Sequence, residues 1–278
     1  PQFELLREVG KGSMGIVFEA KYRPIDGQPE AVATAQGSRS VALEILPPSL
    51  TLTERALARF LREGRIMARV QHPDIVNFID QGRQGRLHWF AMEFVAGVTL
   101  EERMRVGPLP VQKACAIAAK VGRALQFAHD HGVVHRDIKP GNLMLRDEGP
   151  SAVGDEQGPD ELRVAITDFG LARETGTGSM TESGAIVGTP MYMAPEMVLG
   201  GTHAASTLAD VYALGATLYE LVTGKPPYDG PTAQGVLKAV TEQNLLSARR
   251  LRRDLPFAVE AIIEKAMSSD PAPPYGSA

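Results

Sequence analysis

Val134-His-Arg-Asp-Ile-Lys-Pro-Gly-Asn-Leu-Met-Leu145 is the stretch on which the reading of this chain turns. An acid (Asp137), a base (Lys139) and an amide (Asn142) fall within six residues, with β-branched and aliphatic residues on both sides. That pattern predicts a short loop between a buried helix and a buried strand, projecting polar groups from one rigid edge. Such a loop suits chemistry on a highly charged, metal-bound group. The plainer alternative is a surface turn, because Asp, Pro, Gly and Asn are all turn formers. The neighbouring stretches decide between the two.

Working outward to the N-terminus, residues 3–22 (FELLREVGKGSMGIVFEAKY) read as two strands around a glycine-rich turn. Gly10, Gly12 and Gly15 are spaced GxGxxG, with Lys11, Ser13 and Met14 between them. Glycines at this spacing let backbone amides approach phosphates closely, although a plain hairpin also uses glycine. A dinucleotide-binding motif requires a helix directly after the glycines. Ile16-Val17-Phe18 argues for a strand instead. Residues 24–39 form a polar loop, and Ser40 to Leu46 a strand closed by Pro47-Pro48. From about Thr53, Leu57, Phe60, Leu61, Gly64, Met67 and Ala68 follow the rhythm of a one-sided helix. Ile75 to Ile79 and Leu87 to Val95 are expected as two further strands, with Ala96-Gly97 as a hinge.

From Thr99 onward the pattern becomes mostly helical. Residues 111–131 place Ala114, Ile117, Ala118, Val121, Leu125 and Ala128 on one face and end at His131-Gly132. Beyond the central loop, Leu143 to Leu145 and Leu162 to Ile166 read as paired strands around an acidic, Gly/Pro-rich insertion at 147–161. The second strand delivers Thr167-Asp168-Phe169-Gly170. A Gly/Ser/Thr-rich segment occupies 174–189, and further helices are expected at 207–223, 232–243 and 256–268.

Bulk properties narrow the classes. The 278 residues are 44% hydrophobic and 22% charged, enough for one large domain or two lobes. A net charge of -4 disfavours nucleic acid as a partner. The single cysteine, Cys115, excludes an intrachain disulfide framework and is expected in the core. The best apolar run, Val211 to Val222, is too short for a membrane span and is interrupted by Glu220. The chain opens on Pro1, mid-motif, and reads as a piece of a larger protein.

With these pieces placed, the sequence resembles the eukaryotic-type protein kinase family over essentially its whole length, and within it the bacterial Ser/Thr branch. The matching motifs stand in family order: G-K-G-S-M-G at 10–15, Glu63 on the first helix, H-R-D-I-K-P-G-N at 135–142, D-F-G at 168–170, A-P-E at 194–196, and Asp210 at the start of a buried helix. The resemblance implies an α+β, bilobal fold. Its N-lobe (about 1–95) would hold a five-stranded antiparallel sheet and one main helix, with a hinge at about 93–97. A mostly helical C-lobe (about 98–278) would end short of the usual domain boundary.

The resemblance also assigns roles. Asp137 would orient or accept the proton of the incoming hydroxyl, and Lys139 would hold the transferred phosphoryl as a point charge. Asn142 and Asp168 would supply hard oxygen ligands to Mg²⁺. Gly10 to Val17 would cover the ATP triphosphate. Val17, Ala42 and Met144 would sandwich adenine, with Met92 as gatekeeper and Glu93 to Val95 offering backbone hydrogen bonds. Read without the resemblance, those apolar residues are ordinary core. Lys139 and Thr189 fit the Ser/Thr-specific pattern. Arg136 is expected to pair with a phosphorylated activation segment, for which Thr181, Thr177 and Ser179 are the leading acceptors, with Thr175 and Ser183 behind them. The partner is then a protein with a Ser/Thr acceptor, and the site is cytoplasmic, any membrane tether lying in other regions. Glu101 and Glu102 are either readers of a basic substrate or plain solvated acids.

Two departures stand out. The family's third strand carries V-A-x-K, whereas this chain reads Val41-Ala42-Leu43-Glu44. A lysine that pairs with the helix carboxylate and grips phosphates has become a carboxylate. At about 4 Å and an effective dielectric near 20, reversing the sign of that pair involves a term of roughly 4 kcal/mol. Glu44 against Glu63 is therefore expected to swing the helix outward or to favour protonation of one carboxylate, and to impair nucleotide binding. Lys11 and Lys21 are the only nearby candidates for rescue, and both are ordinary surface positions in the family. The second departure is Pro274, at the place of the arginine that pairs with the A-P-E glutamate, here Glu196. Against the enzyme stand a pseudokinase scaffold, favoured by Glu44, and a small-molecule phosphotransferase, which leaves G-T-P-M-Y-M-A-P-E unexplained.

Overall fold

Phe3–Lys11 (β1), Ile16–Tyr22 (β2), Arg39–Leu46 (β3), Phe78–Gln84 (β4) and Leu87–Glu93 (β5) form one antiparallel sheet in the order β1-β2-β3-β5-β4. The computed structural model describes residues 2–11, 15–23, 39–46, 64, 67–146, 162–169, 189–199 and 206–268. The insertion expected at 24–39 apart from Arg39, which opens β3, that at 147–161, the helix from about Thr53 apart from Gly64, Met67 and Ala68, and Pro274 lie outside them. The chain divides into two compact units, Pro1–Ala96 and Gly97–Ala278, the first holding the five-stranded sheet and the second mostly helical.

Strand alternation gives the first sheet two different faces. On one, Ala20, Tyr22, Val41, Leu43, Trp89 and Ala91 make a closed apolar cluster with Phe3, Ile45 and Ile79 against it. The Phe3 ring stacks on Tyr22 at 5.2 Å and meets Trp89 edge-on at 4.7 Å. On the other, the register aligns Val17, Glu44, Phe90 and Gln81 in one cross-strand row and Glu19, Ala42, Met92 and Phe78 in the next.

The strand expected at Ile75 to Ile79 starts later, at Phe78. Ile75 and Val76 are buried, but in the segment between the turn at Pro73-Asp74 and the strand, with Ile75 as an isolated bridge. The strand itself continues through Gln81-Gly82-Arg83-Gln84, a polar run that β4 tolerates because it is an edge of the sheet. A hydrophobic run here marks an anchor for the segment before the strand, not the strand. Gly82 earns its place by contact, since a Cβ there would come within 2.4 Å of the Trp89 ring.

In the second unit, Gly97–Thr99 (β6), Leu143–Arg146 (β7) and Val164–Ile166 (β8) form a small sheet in that order. The pairing β7–β8 matches the expected return strand; β6, three residues long, carries too little pattern to be read from sequence. The helices are Leu100–Met104 (α1), Val111–Asp130 (α2), Pro195–Val198 (α3), Thr207–Thr223 (α4), Ala233–Thr241 (α5), Ala248–Leu251 (α6) and Phe257–Ala266 (α7). Helix α4 is buried on nearly every side and packs against both α2 and α7. Its approach to α7 is close: a Cβ on Gly215 would lie 2.7 Å from that of Ala266. It stops at Gly224, whose φ of 74° suits glycine. Cys115, expected in the core, is only half-buried on α2. Among the described residues no helix is long and apolar enough to cross a membrane.

Candidate active site

The 134–145 loop is held from beneath by one carboxylate. Asp210 stands in the first turn of α4, where the helix dipole favours a negative charge, and is wholly buried. Its Oδ2 accepts the backbone N–H of His135 (2.8 Å) and lies 2.8 Å from His129 Nε2, while Oδ1 accepts the backbone N–H of Arg136 (2.6 Å). Two successive N–H groups converge on one side chain because Arg136 adopts the left-handed region at φ 68°. A non-glycine residue holds that conformation only where its surroundings insist on it.

His135 is wholly buried and its tautomer follows from its neighbours. The N–H of Asp137 donates to its Nδ1 (3.2 Å), so Nδ1 carries no proton, and Nε2–H donates to the carbonyl of Thr167 (2.8 Å). The imidazole thereby ties the central loop to the strand end that delivers Asp168, with the Phe169 ring edge-on at 4.6 Å. The backbone completes the link, since Thr167 N–H donates to the Asn142 carbonyl at 2.9 Å.

Above this platform the polar groups converge. Lys139 Nζ lies 3.0 Å from Asp137 Oδ2 and donates to Thr189 Oγ1 at 3.2 Å. Asn142, nearly buried, donates from Nδ2 to the carbonyl of Asp137 (2.8 Å) and to its Oδ2 (3.1 Å). Both side-chain contacts fall on one carboxylate oxygen, and Asn142 is fixed with its own oxygen turned away from Asp137. Asp168 follows at the end of β8 with φ 57°. Burial pushes its carboxyl above the ordinary carboxylate range, and the charge of Asp137 adds to the push, while Lys139 opposes it. A buried amide and a half-buried carboxylate on adjacent strand ends suit a small hard cation, whose charge would offset the cost of desolvating Asp168.

Of the nucleotide-contact candidates in the first unit, Val17, Ala42, Glu44 and Met92 share one sheet face. Val17 lies opposite Glu44 and Glu44 opposite Phe90; Ala42 lies opposite Met92. Glu44 is wholly buried there. Gly64, on the helical turn before Met67, rests against the same face, since a Cβ on it would come within 3.0 Å of the Phe90 ring. Lys21 is exposed and stands four residues along β2 from Val17, roughly 13 Å at strand rise. Lys11 ends β1 opposite Ile16. Gly15 has a reason to be glycine apart from any ligand, because a Cβ would meet the Ile45 carbonyl oxygen at 2.0 Å. Gly10 has open space around it. Glu93 closes β5, and Val95 is buried just beyond. Met144 belongs to the second unit, on β7 opposite Ala165. Gly12, Ser13, Met14, Glu63, Gly170, Thr175, Thr177, Ser179, Thr181 and Ser183 lie outside the described residues.

Several contributors were not singled out from sequence. His129 sits in the last turn of α2, where a basic residue is common for dipole reasons alone. Tyr192 donates to Glu220, whose carboxyl burial pushes up. Glu102, weighed above as a substrate reader, completes a capping box with Thr99 at the start of α1: its carboxylate accepts Thr99 N–H (2.9 Å) and its N–H donates to Thr99 Oγ1 (3.0 Å). The S/T-x-x-E spacing was the available signal. Among the described residues no ion pair reaches Glu196, whose charge acts instead on the Tyr212 hydroxyl, already raised by burial and by Tyr228.

Residues 3–272 match the family model described as the protein kinase domain. The chain is similar to the serine/threonine-protein kinase PkaA of Streptomyces coelicolor, 35% identical over 269 residues that make up 96% of this chain and 46% of that protein. It is also similar to the serine/threonine-protein kinase PrkC of Bacillus subtilis, 32% identical over 278 residues, 100% of this chain and 39% of the relative. The chain thus spans less than half the length of these relatives. Among solved structures, the kinase domain of Mycobacterium tuberculosis PknI superposes with a TM-score of 0.70 at 26% identity, covering 99% of this chain and 92% of that one.

Proposed function

The chain belongs to the protein kinase domain family and stands close to its bacterial Ser/Thr members; from that premise we propose that it transfers the γ-phosphoryl of ATP to Ser or Thr hydroxyls of protein substrates, with residues up to about 95 as N-lobe, 93–97 as hinge and the remainder as C-lobe. One observation carries the reading: Asp137, Lys139 and Asn142 converge on a single carboxylate oxygen above a loop whose backbone is fixed by Asp210. Phosphoryl transfer asks a protein for little covalent chemistry and much positioning, and rigid polar groups supply it.

In this reading Asp137 aligns the acceptor hydroxyl and takes its proton. Lys139, already bridging Asp137 and Thr189, holds the transferred group and keeps the acceptor-side segment in register with the loop. Mg²⁺, held by Asn142 and Asp168, would neutralise the charge that develops on the phosphate oxygens. The backbone of Glu93 to Val95 would read adenine, and Val17, Ala42, Met92 and Met144 would bound it. Ser/Thr acceptors within 175–183 would order the segment through Arg136 once phosphorylated. A cytoplasmic location accords with such use of ATP.

Glu44 supports a second reading, a scaffold that binds nucleotide weakly or not at all. A carboxylate where the family places lysine removes the grip on the α- and β-phosphates and adds repulsion. Titration with Mg·ATP and an autophosphorylation assay on the parent chain and on Glu44→Lys separate the two, with Asp137→Ala as the blank. The enzyme reading expects nucleotide binding in both and faster transfer in Glu44→Lys. Absence of nucleotide binding in both chains would overturn it, and equal transfer rates would overturn the assigned effect of Glu44.

A further inference from the structure

The residue before β4 grips the residue that ends β5. The backbone N–H of Glu93 donates to the Asn77 carbonyl at 2.8 Å. In return, the Glu93 carboxylate accepts from Asn77 on Oε2, from the side-chain Nδ2 at 2.9 Å and from the backbone N–H at 3.4 Å. Backbone and side chain of Glu93 thus both engage Asn77. The next residue is steadied from the opposite edge of the sheet, where the Arg7 guanidinium lies 5.8 Å from the centre of the Phe94 ring.

The place of this grip matters more than its strength. Ladder pairing between β4 and β5 begins at Phe78 and Met92, so Glu93, the last residue of β5 and still opposite Val41 on β3, is the first position past the last cross-strand pair with β4. Chain leaving a sheet frays unless something outside the ladder holds it. Asn77 does so through an amide that bonds to an ionised partner, the stronger class of hydrogen bond. The segment carrying Asn77 is itself anchored, with Ile75 and Val76 buried and the Ile75 N–H donating to the His72 carbonyl at 3.0 Å.

We propose that Asn77 is a positioning residue for nucleotide recognition: by clamping Glu93 it pre-orders the backbone of residues 93–95 that would read the adenine edge. This rests on the ATP reading given above. A pre-ordered recognition strand loses less conformational freedom on binding, so the clamp appears in nucleotide affinity and not in the chemical step. Asn77 touches neither nucleotide nor reacting atoms in this scheme; it acts through Glu93.

Three measurements on the parent, Asn77→Ala and Glu93→Gln test it. They are amide hydrogen exchange at residues 93–96 without ligand, the dissociation constant of Mg·ATP by calorimetry, and the thermal midpoint. The expected result for Asn77→Ala is exchange at Phe94 and Val95 faster by about tenfold and an Mg·ATP dissociation constant raised about five- to tenfold, with single-turnover transfer at saturating ATP unchanged. Glu93→Gln, which retains an acceptor for Nδ2, should show a smaller shift in the same direction. A lowered thermal midpoint with unchanged affinity would reduce Asn77 to a structural role and overturn the inference, as would unaltered exchange. A parent chain that binds no adenine nucleotide overturns the ATP reading and this inference with it. That outcome is told apart from failure of the clamp by the exchange data, which need no ligand. Should Asn77→Ala fail to fold, Glu93→Gln alone decides by the same two readouts.

Discussion

Asp210 and Glu44 are both carboxylates fully withdrawn from water, one in each compact unit, and they sit in opposite company. Asp210 is surrounded by donors: two backbone N–H groups and a histidine nitrogen, at the positive end of a helix. Glu44 stands mid-strand, with Val17 and Phe90 as its cross-strand neighbours. Burying a charge is costly wherever it occurs, and what differs is how much the surroundings return. Around Asp210 the chain has built a receptor for a carboxylate, and the loop borrows its shape from that receptor. Glu44 shares its sheet face with Val17, Ala42, Phe90 and Met92. A carboxylate can therefore organise a loop from a helix start in one unit and stand within a largely apolar sheet face in the other.

The sharpest way to break that contrast is Asp210→Ala. It strands the N–H groups of His135 and Arg136 and removes the partner of His129, so stability should fall by about 3–5 kcal/mol, read from denaturant unfolding. The converse substitution is Glu44→Met, similar in volume and apolar. The substitution trades the cost of a buried carboxylate against the contacts that carboxylate makes, so stability should change by about 2 kcal/mol or less, well short of the Asp210→Ala loss. A loss comparable to that of Asp210→Ala would show that Glu44 is as well received as Asp210 and would dissolve the comparison.

Asp168 lies between these cases, a half-buried carboxylate whose surroundings raise its pKa. Burial raises its folded-state pKa above the unfolded value, so the folded chain retains a proton that the unfolded chain has released. Stability contributed by this group is therefore greatest at low pH and declines as pH rises from the ordinary carboxylate value through the raised one. Asp168→Asn should be more stable than the parent at neutral pH, with the difference vanishing in acid, while transfer activity is lost. Thermal midpoints across a pH series report it, and a gain that persists in acid would mean that the charge is not the cause.

The smallest expected effect is at Thr99→Ala. It removes one half of the α1 capping box and should cost about 1 kcal/mol without touching the central loop. A larger loss, or a change in transfer rate, would mean that the short helix is coupled to the site beyond its cap.

Local readings succeeded where the physics is local. The rhythm of α2 and the apolar run of α4 name those helices within a residue or two, and the three-glycine spacing places the β1–β2 turn. The β4 expectation failed because Ile75 and Val76 are buried in the segment before the strand, Ile75 through an isolated bridge, and no local pattern separates that from a continuous buried strand. Glu102 looked like a surface acid because capping depends on where the helix begins, which is known only once β6 has ended at Thr99.

By itself, the sequence determined which chemical groups are present and in what order: an acid, a base and an amide within one loop, a second acid at the end of a returning strand, and a carboxylate on the third strand. Tertiary structure alone decided what each group answers to. Residues 75 positions apart meet because a helix start and a loop share one buried oxygen pair, as Asp210 and His135 do. Asn77 reaches Glu93 because the antiparallel hairpin of β4 and β5 folds the chain back upon itself. Such contacts leave no periodic trace, since a hydrogen bond is short-ranged in space and indifferent to separation along the chain.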